Sequence, residues 1–168
     1  VLEIADMVFE MNSRKLQIGG LCARIPVVQG GMGVGVSLSG LAGAVAAAGG
    51  IGIISTAQIG FRDRDFMKHP IECNLKAIKT EVEKARKLAK GGIIGVNIMV
   101  ALSNYAEMVR TAISEKIDVV FAGAGLPLDL PLYLTPESKT KLVPIVSSSR
   151  AAKIICDKWQ KNFDYLPD

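Results

Sequence analysis

The 168-residue sequence predicts an α/β protein built on a parallel sheet. Short runs rich in Val and Ile alternate with stretches of helical period, which is the order of repeated βα units. The runs are apolar throughout, as strands covered on both faces are. Composition agrees: 49% hydrophobic, 21% charged and a net charge of +4 exclude disorder, and a chain of this length buries a core without disulfide or metal staples. Five such units can be counted. A closed eight-unit barrel takes roughly 250 residues, so the chain is either a small open sheet or the front part of something larger.

Taken in order, residues 1–14 read as a terminal extension, with Met11 a candidate native start, and residues 15–168 as the folded part. Lys15–Leu16–Gln17–Ile18 and Leu21–Cys22–Ala23–Arg24 flank Gly19–Gly20 and predict a hairpin. Pro26–Val27–Val28–Gln29 predicts the first core strand, followed by a glycine-rich loop. Ser37 is the expected N-cap of a helix with Leu38, Leu41, Ala42, Val45 and Ala46 on one stripe, and Gly49–Gly50 should end it in a left-handed cap. A strand over 51–55 and a loop with Arg62, Asp63, Arg64 and Asp65 precede a helix over 70–90, whose inward residues are Leu75, Ile78, Val82, Ala85 and Ala89.

Gly91–Gly92 closes that helix before a strand over 93–99, so Ile51–Gly52–Ile53–Ile54 and Ile93–Ile94–Gly95–Val96 follow matching junctions. A helix over 103–116 should face inward with Tyr105, Met108, Val109, Ala112 and Ile113. A strand over 118–122 leads to Gly123–Ala124–Gly125. The proline-punctuated stretch 126–141 holds one or two short helical turns, then a strand over 142–146 leads into Ser147–Ser148–Ser149. The helix over 150–162 carries Ala152, Ile155, Trp159 and Phe163 at helical spacing, and Tyr165–Leu166–Pro167–Asp168 reads as the approach to another strand.

Several function classes are excluded. The basic residues gather on the stretch from Lys76 to Lys90, interleaved with Glu81 and Glu83, which is a solvated helix face and not a nucleic-acid surface. Cys22, Cys73 and Cys156 stand far apart with no CxxC or Cys/His pair, so neither a metal site nor a disulfide framework is expected, and a reducing cytoplasm is the natural compartment. Residues 25–61 hold no charge and no His, longer than the roughly 20 residues that cross a bilayer. Glycines and polar residues interrupt that run, leaving a helix too short to span, so no membrane segment is expected.

Parallel α/β proteins carry their sites at the carboxyl ends of the strands. Here those ends are Gly30 to Gly35, Ser55 to Gln58, Asn97 with its neighbours, Gly123 to Gly125, and Ser147 to Ser149. Such a rim lets a flat ligand approach the backbone closely. The loop fits neither the G-x-G-x-x-G nor the Gly-Lys-Ser/Thr phosphate pattern. Asn97 lies in an apolar strand, where a buried amide without partners costs a few kcal/mol; it either bonds neighbouring backbone or holds a polar ring system. His69, the single histidine, precedes Pro70 in a polar loop and reads as an exposed bystander.

These residues together resemble the amino-terminal part of the nitronate monooxygenase family, related to the FMN-dependent enoyl-acyl-carrier-protein reductase II enzymes. The resemblance spans about residues 15–168 and rests on five motifs in order: Pro26–Val27–Val28–Gln29–Gly30–Gly31–Met32–Gly33; Leu41–Ala42–Gly43–Ala44–Val45 with Ala48–Gly49–Gly50–Ile51–Gly52; Gly95–Val96–Asn97–Ile98–Met99; Ala122–Gly123–Ala124–Gly125–Leu126–Pro127; and Val143–Pro144–Ile145–Val146–Ser147–Ser148. It implies the first five units of a (β/α)8 TIM barrel with FMN at its mouth. Gly30, Gly31, Met32 and Gly33 would lie against the flavin ring, Asn97 would hydrogen-bond its polar edge, and Gly123, Gly125 and Ser147 would complete the near wall. The implied substrates are an alkyl nitronate with dioxygen, or an enoyl thioester with NAD(P)H. The family's catalytic histidine and phosphate-binding glycines lie beyond the position of Asp168. The expectation is therefore an incomplete enzyme, binding FMN poorly by itself and inactive, or a non-catalytic half-barrel whose open sheet edges drive homo-oligomer formation.

Overall fold

The computed structural model describes residues 15–168, so the proposed extension and start at Met11 lie outside the described residues. Strands β1 (Leu16–Ile18) and β2 (Leu21–Ala23) form the expected hairpin, with Leu16, Gln17 and Ile18 opposite Ala23, Cys22 and Leu21 around a two-residue turn. Four parallel strands follow: β3 (Ile51–Ser55), β4 (Ile93–Met99), β5 (Val119–Gly123) and β6 (Lys141–Pro144), hydrogen-bonded in chain order. Helix α1 (Ser39–Ala47) leads into β3, α2 (Pro70–Ala89) joins β3 to β4, and α3 (Tyr105–Ser114) joins β4 to β5. A 3₁₀ turn (Leu130–Tyr133) lies between β5 and β6, and α4 (Ser149–Phe163) follows β6. Parallel neighbours need such crossovers, which fixes the chain order as the spatial order.

Side chains alternate along each strand, so the sheet has two faces. On the outer face Ile54, Ile94, Val96, Ile98, Val120, Ala122 and Leu142 pack beneath the helices, against Ala42, Ile78, Val82, Ala85, Met108, Val109, Ala112, Ile155 and Trp159. Each fully buried Val, Leu or Ile there contributes roughly 1.5–3 kcal/mol. On the inner face Ile51, Ile53 and Val119 pack with Ala23 and with Leu16, Ile18 and Leu21 of the hairpin. Gly19 of the turn lies against Lys141, the first residue of β6. The hairpin thus closes the inner face at the amino ends of the strands and leaves their carboxyl ends open.

Two charged groups hold neighbouring segments to strand starts. Arg86 of α2 donates two hydrogen bonds to Asp118, whose Oδ2 also accepts from the Ile94 amide at 2.8 Å. Asp168 salt-bridges Lys141 at 3.1 Å and accepts from the Leu142 amide at 3.0 Å, while its own amide donates to the Leu142 carbonyl at 3.1 Å. Asp168 is thus held at the start of β6 by one main-chain hydrogen bond and two side-chain contacts.

Four expectations need correction. Residues 26–29 do not form a full strand; one bridge, Val28 to Ile51, joins them to the sheet, because the chain leaves β3 immediately afterwards. Ser37 is not the N-cap of α1: Leu38 holds that position without a side-chain bond, and the Ser37 hydroxyl turns to the glycine loop. Leu41, expected inward, is 39% exposed, and the buried stripe is Ser39, Ala42, Gly43 and Ala46, since α2 approaches so closely that Leu88 abuts Gly43. Helix α2 turns left-handed already at Lys90, φ +50°, ahead of Gly91. Gly49 does end α1 as expected, with φ +102°. The repeated Ile-Gly segments lie side by side, Ile51 opposite Ile93 and Ile53 opposite Gly95.

Candidate functional site

At the carboxyl ends of the strands, the loop from Gly30 to Ser37 folds over β3 and β4. Ser55 ends β3 and stands in register with Asn97, two residues before the end of β4, on the inner face. A Cβ built on Gly31 would lie 2.5 Å from the Asn97 Cβ and 3.3 Å from the Ile53 Cγ2, so this position admits only glycine without displacement. A Cβ on Gly33 would lie 3.0 Å from the Ala57 Cβ and 3.3 Å from the Ser55 Oγ, whereas one on Gly30 would meet nothing within 4 Å. The side chain of Met32 projects from the same loop, 47% exposed.

Asn97 is half-buried and its carboxamide makes no hydrogen bond among the described residues. Its carbonyl accepts from the Thr56 amide at 3.1 Å and the Thr56 hydroxyl at 3.0 Å, which holds the β3 exit against β4. Of the two readings of Asn97, a bond to neighbouring backbone is not what the side chain makes. Gly123 ends β5 beside Met99, and its carbonyl accepts from the Val100 amide at 2.8 Å; Gly125 packs on the Val100 side chain. Ser147 is exposed in the β6–α4 loop, and its neighbour Ser148 caps α4 by accepting from the Ala151 amide at 3.2 Å.

The fold thus brings Gly30, Gly31, Met32, Gly33 and Asn97 together, with Gly123 and Gly125 one strand further along. Ser147 follows β6, two strands along the sheet from Asn97 on β4. Residues 30–37, 55–60, 97–104, 123–127 and 145–149 form this mouth and carry no charged side chain. Among the described residues no group of three His, Cys, Asp or Glu could hold a metal. His69 sits exposed at the amino end of α2.

The perturbed ionisable groups lie elsewhere. Burial, then Asp63 and Asp65, push the Cys73 thiol up. Burial raises the Tyr105 phenol, helped by Tyr133 and Asp129, and raises that of Tyr165, helped by its bond to Asp168. A groove of about 940 Å³ between α3 and the stretch around residues 132–140 lies at the opposite, amino ends of the strands, where Asp118 and Thr140 precede β5 and β6. Loops at that end serve stability in parallel barrels.

Two residues of the site were not singled out from sequence. Gln29 and Ser37 hold the glycine loop through their side chains: Ser37 Oγ accepts from the Met32 amide at 2.9 Å and donates to the Gly30 carbonyl at 3.2 Å. Gln29 Nε2 lies 2.9 Å from Ser37 Oγ. A polar residue in an apolar strand was the available signal, the same one that drew attention to Asn97.

A parallel βα series with its hairpin plug at one end and a charge-free mouth at the other defines the amino-terminal portion of a TIM-type (β/α)8 barrel. The family model for nitronate monooxygenase matches residues 14–166, and the chain belongs to the nitronate monooxygenase family. Among solved structures it is similar to FabK from Thermotoga maritima, at 28% identity and TM-score 0.59 over 79% of this chain and 37% of that one. A mutant form of the same FabK matches with TM-score 0.65 at 28% identity, over 79% of this chain and 40% of that one. Nitroalkane oxidase from Streptomyces ansochromogenes shares the fold, with TM-score 0.63 and 18% identity over 81% of this chain and 44% of that one. The chain spans about two-fifths of the length of the FabK structures it matches. A comparison with curated proteins finds no match. Among the described residues no helix is long and apolar enough to cross a membrane.

Proposed function

We propose that this chain forms the flavin-facing part of an FMN-dependent oxidoreductase that oxidises alkyl nitronates with dioxygen to a carbonyl compound and nitrite. The observation that carries the reading is the approach of Gly31 to Asn97: the loop main chain lies bare at the strand mouth, beside a carboxamide with no protein partner among the described residues. A flat, neutral, heteroatom-edged ring matches that surface. The Gly30–Gly33 main chain and Met32 would meet the ring face, Asn97 would donate to or accept from its edge, and Gly123, Gly125 and Ser147 would line the remaining wall. FMN, when bound, supplies the two-electron chemistry; the protein's residues hold it, exclude water and shape access. The uncharged mouth leaves the proton-handling group to be sought outside these five segments.

A second reading is favoured by the likeness to FabK at 28% identity: reduction of an enoyl thioester with NAD(P)H on the same flavin surface. The native protein separates them. Oxygen consumption and nitrite release with propionate nitronate are expected, and NADPH oxidation with crotonyl thioester in their place would overturn the nitronate reading in favour of the second. An FMN titration in which neither flavin absorbance nor fluorescence changes would overturn both.

A further inference from the structure

The bridge between residues 26–29 and β3 stops one step short for a reason visible in its hydrogen bonds. The Gln29 amide donates to the Ile51 carbonyl at 3.0 Å, and the Ile51 amide donates to the Val27 carbonyl at 2.9 Å. In a continuing parallel ladder the next bonds would run from the Ile53 amide to the Gln29 carbonyl, and from the Gly31 amide to the Ile53 carbonyl. Neither forms. The Ile53 amide donates instead to Gln29 Oε1 at 3.0 Å, and Gln29 Nε2 donates to the Ile53 carbonyl at 3.1 Å. One side-chain carboxamide has replaced a full step of strand.

That replacement satisfies β3 while letting the main chain turn away. Gln29 Nε2 also lies 2.8 Å from the Gly30 carbonyl and 2.9 Å from Ser37 Oγ, and the fully buried Ser37 in turn holds the Met32 amide. The Gly31 amide has no hydrogen-bond partner among the described residues. We infer that Gln29 is a positioning residue: its carboxamide stands in for the Gly31 rung of the ladder, aims the freed Gly31 amide at the mouth, and with Ser37 sets the loop against which the ligand lies. The part of this inference that concerns flavin rests on the reading proposed above.

Two variants in the full chain test it, Gln29→Met and Ser37→Ala, each followed by amide hydrogen exchange without ligand and by FMN titration at 25 °C. In Gln29→Met the Ile53 and Met32 amides should exchange at least about tenfold faster, with the amides of β4 and β5 unchanged, because both bonds to Ile53 and the Ser37 contact are lost. In Ser37→Ala the Met32 amide alone should speed up, with Ile53 still protected. FMN affinity should fall about tenfold or more in Gln29→Met, with a shifted flavin spectrum. Unchanged exchange at both amides in Gln29→Met overturns the inference. So does a lowered melting temperature with flavin affinity and spectrum as in the unsubstituted chain, which is what a purely structural glutamine would produce. Should the unsubstituted native protein leave flavin unperturbed, the flavin reading fails, and the exchange pattern alone then decides the ladder replacement. If Gln29→Met does not fold, Ser37→Ala decides: Met32 protection intact in that variant overturns the loop assignment.

Discussion

Replacing Gly31 by alanine probes the closest contact of the candidate site. The new methyl would sit 2.5 Å from the Asn97 Cβ and 3.1 Å from its Cγ, roughly 1 Å inside the ~3.5–4.0 Å optimum for carbon pairs. The Asn97 Cβ is fixed to a central strand paired on both sides, so the loop has to lift. Overpacking of this kind costs about 1–3 kcal/mol. Gly31 lies outside the left-handed region, so alanine also restricts the unfolded chain and returns about 0.4–1 kcal/mol. The net loss is about 1–2 kcal/mol, or roughly 2–8 °C in melting temperature for a chain of this size. Gly30→Ala is the matched control: its Cβ meets nothing within 4 Å, and stability should stay level or rise slightly. Urea unfolding followed through the fluorescence of Trp159, the single tryptophan, reads both. A Gly31→Ala protein at least as stable as Gly30→Ala would refute the close packing of loop on strand.

Three further outcomes follow from the same geometry. Tyr105 holds a buried hydroxyl with no hydrogen-bond partner among the described residues, so Tyr105→Phe should stabilise by about 1 kcal/mol in urea melts. Because burial raises this phenol, its contribution to folding is present below the ordinary value of about 10 and fades as pH rises beyond it; the Phe variant should lose less stability on going to alkaline pH. Glu81 accepts from the Ser39 amide at 2.9 Å at the start of α1; burial opposes its ionisation, but this bond and Lys84 outweigh it and lower its pKa. Its stabilisation is present above the usual carboxylate range and is lost as pH falls through the lowered value, so Glu81→Gln should cost about 0.5–1 kcal/mol near neutrality and progressively less as the carboxylate is protonated in acid. Trp159→Phe should cost about 2 kcal/mol, since the indole N–H donates to the Pro127 carbonyl at 2.9 Å in a site with no access to water.

The regular βα alternation was legible because strands covered on both faces read as apolar runs: 51–55 and 93–99, apolar but for Ser55 and Asn97, are β3 and β4 to the residue. The inward stripe of α2 was legible for the same reason, since its polar face looks to solvent. The stripe of α1 was not. A helix of Ala, Gly, Leu and Val has no polar face to mark its outside, and close approach to α2 selects small residues for burial, leaving Leu41 out. At the site, Asn97 and the glycines were visible as residues out of character with their strand or loop. Gln29 was equally out of character, but it counted only as an interruption of an apolar run. What hid its role is that a side chain standing in for backbone leaves no pattern in sequence; Pro26–Val27–Val28–Gln29 reads the same whether the ladder continues or stops. Ser37 was misread because a serine before a helix fits a cap equally well, and only the turn of the loop decides which amide its hydroxyl meets.

The two faces of the sheet divide the work between stability and site. Every helix packs on the outer face, where the large buried cluster lies, whereas the inner face is closed by the hairpin at one end and bare at the other. The glycine loop is bound to this framework mainly through β3 and β4: the Gln29 and Ser37 side chains, the Ser55 amide donating to the Ser37 carbonyl at 2.9 Å, and the Gly31–Asn97 contact. None of these involves α2, α3 or α4. Substitutions beneath those helices should therefore lower global stability without altering the position of the loop, while changes at Gln29, Gly31 or Ser37 should move the loop and leave the helical cluster intact. Separated in this way, the mouth can accept different side chains at its rim, and with them different substrates, without disturbing the packing that holds the strands in place.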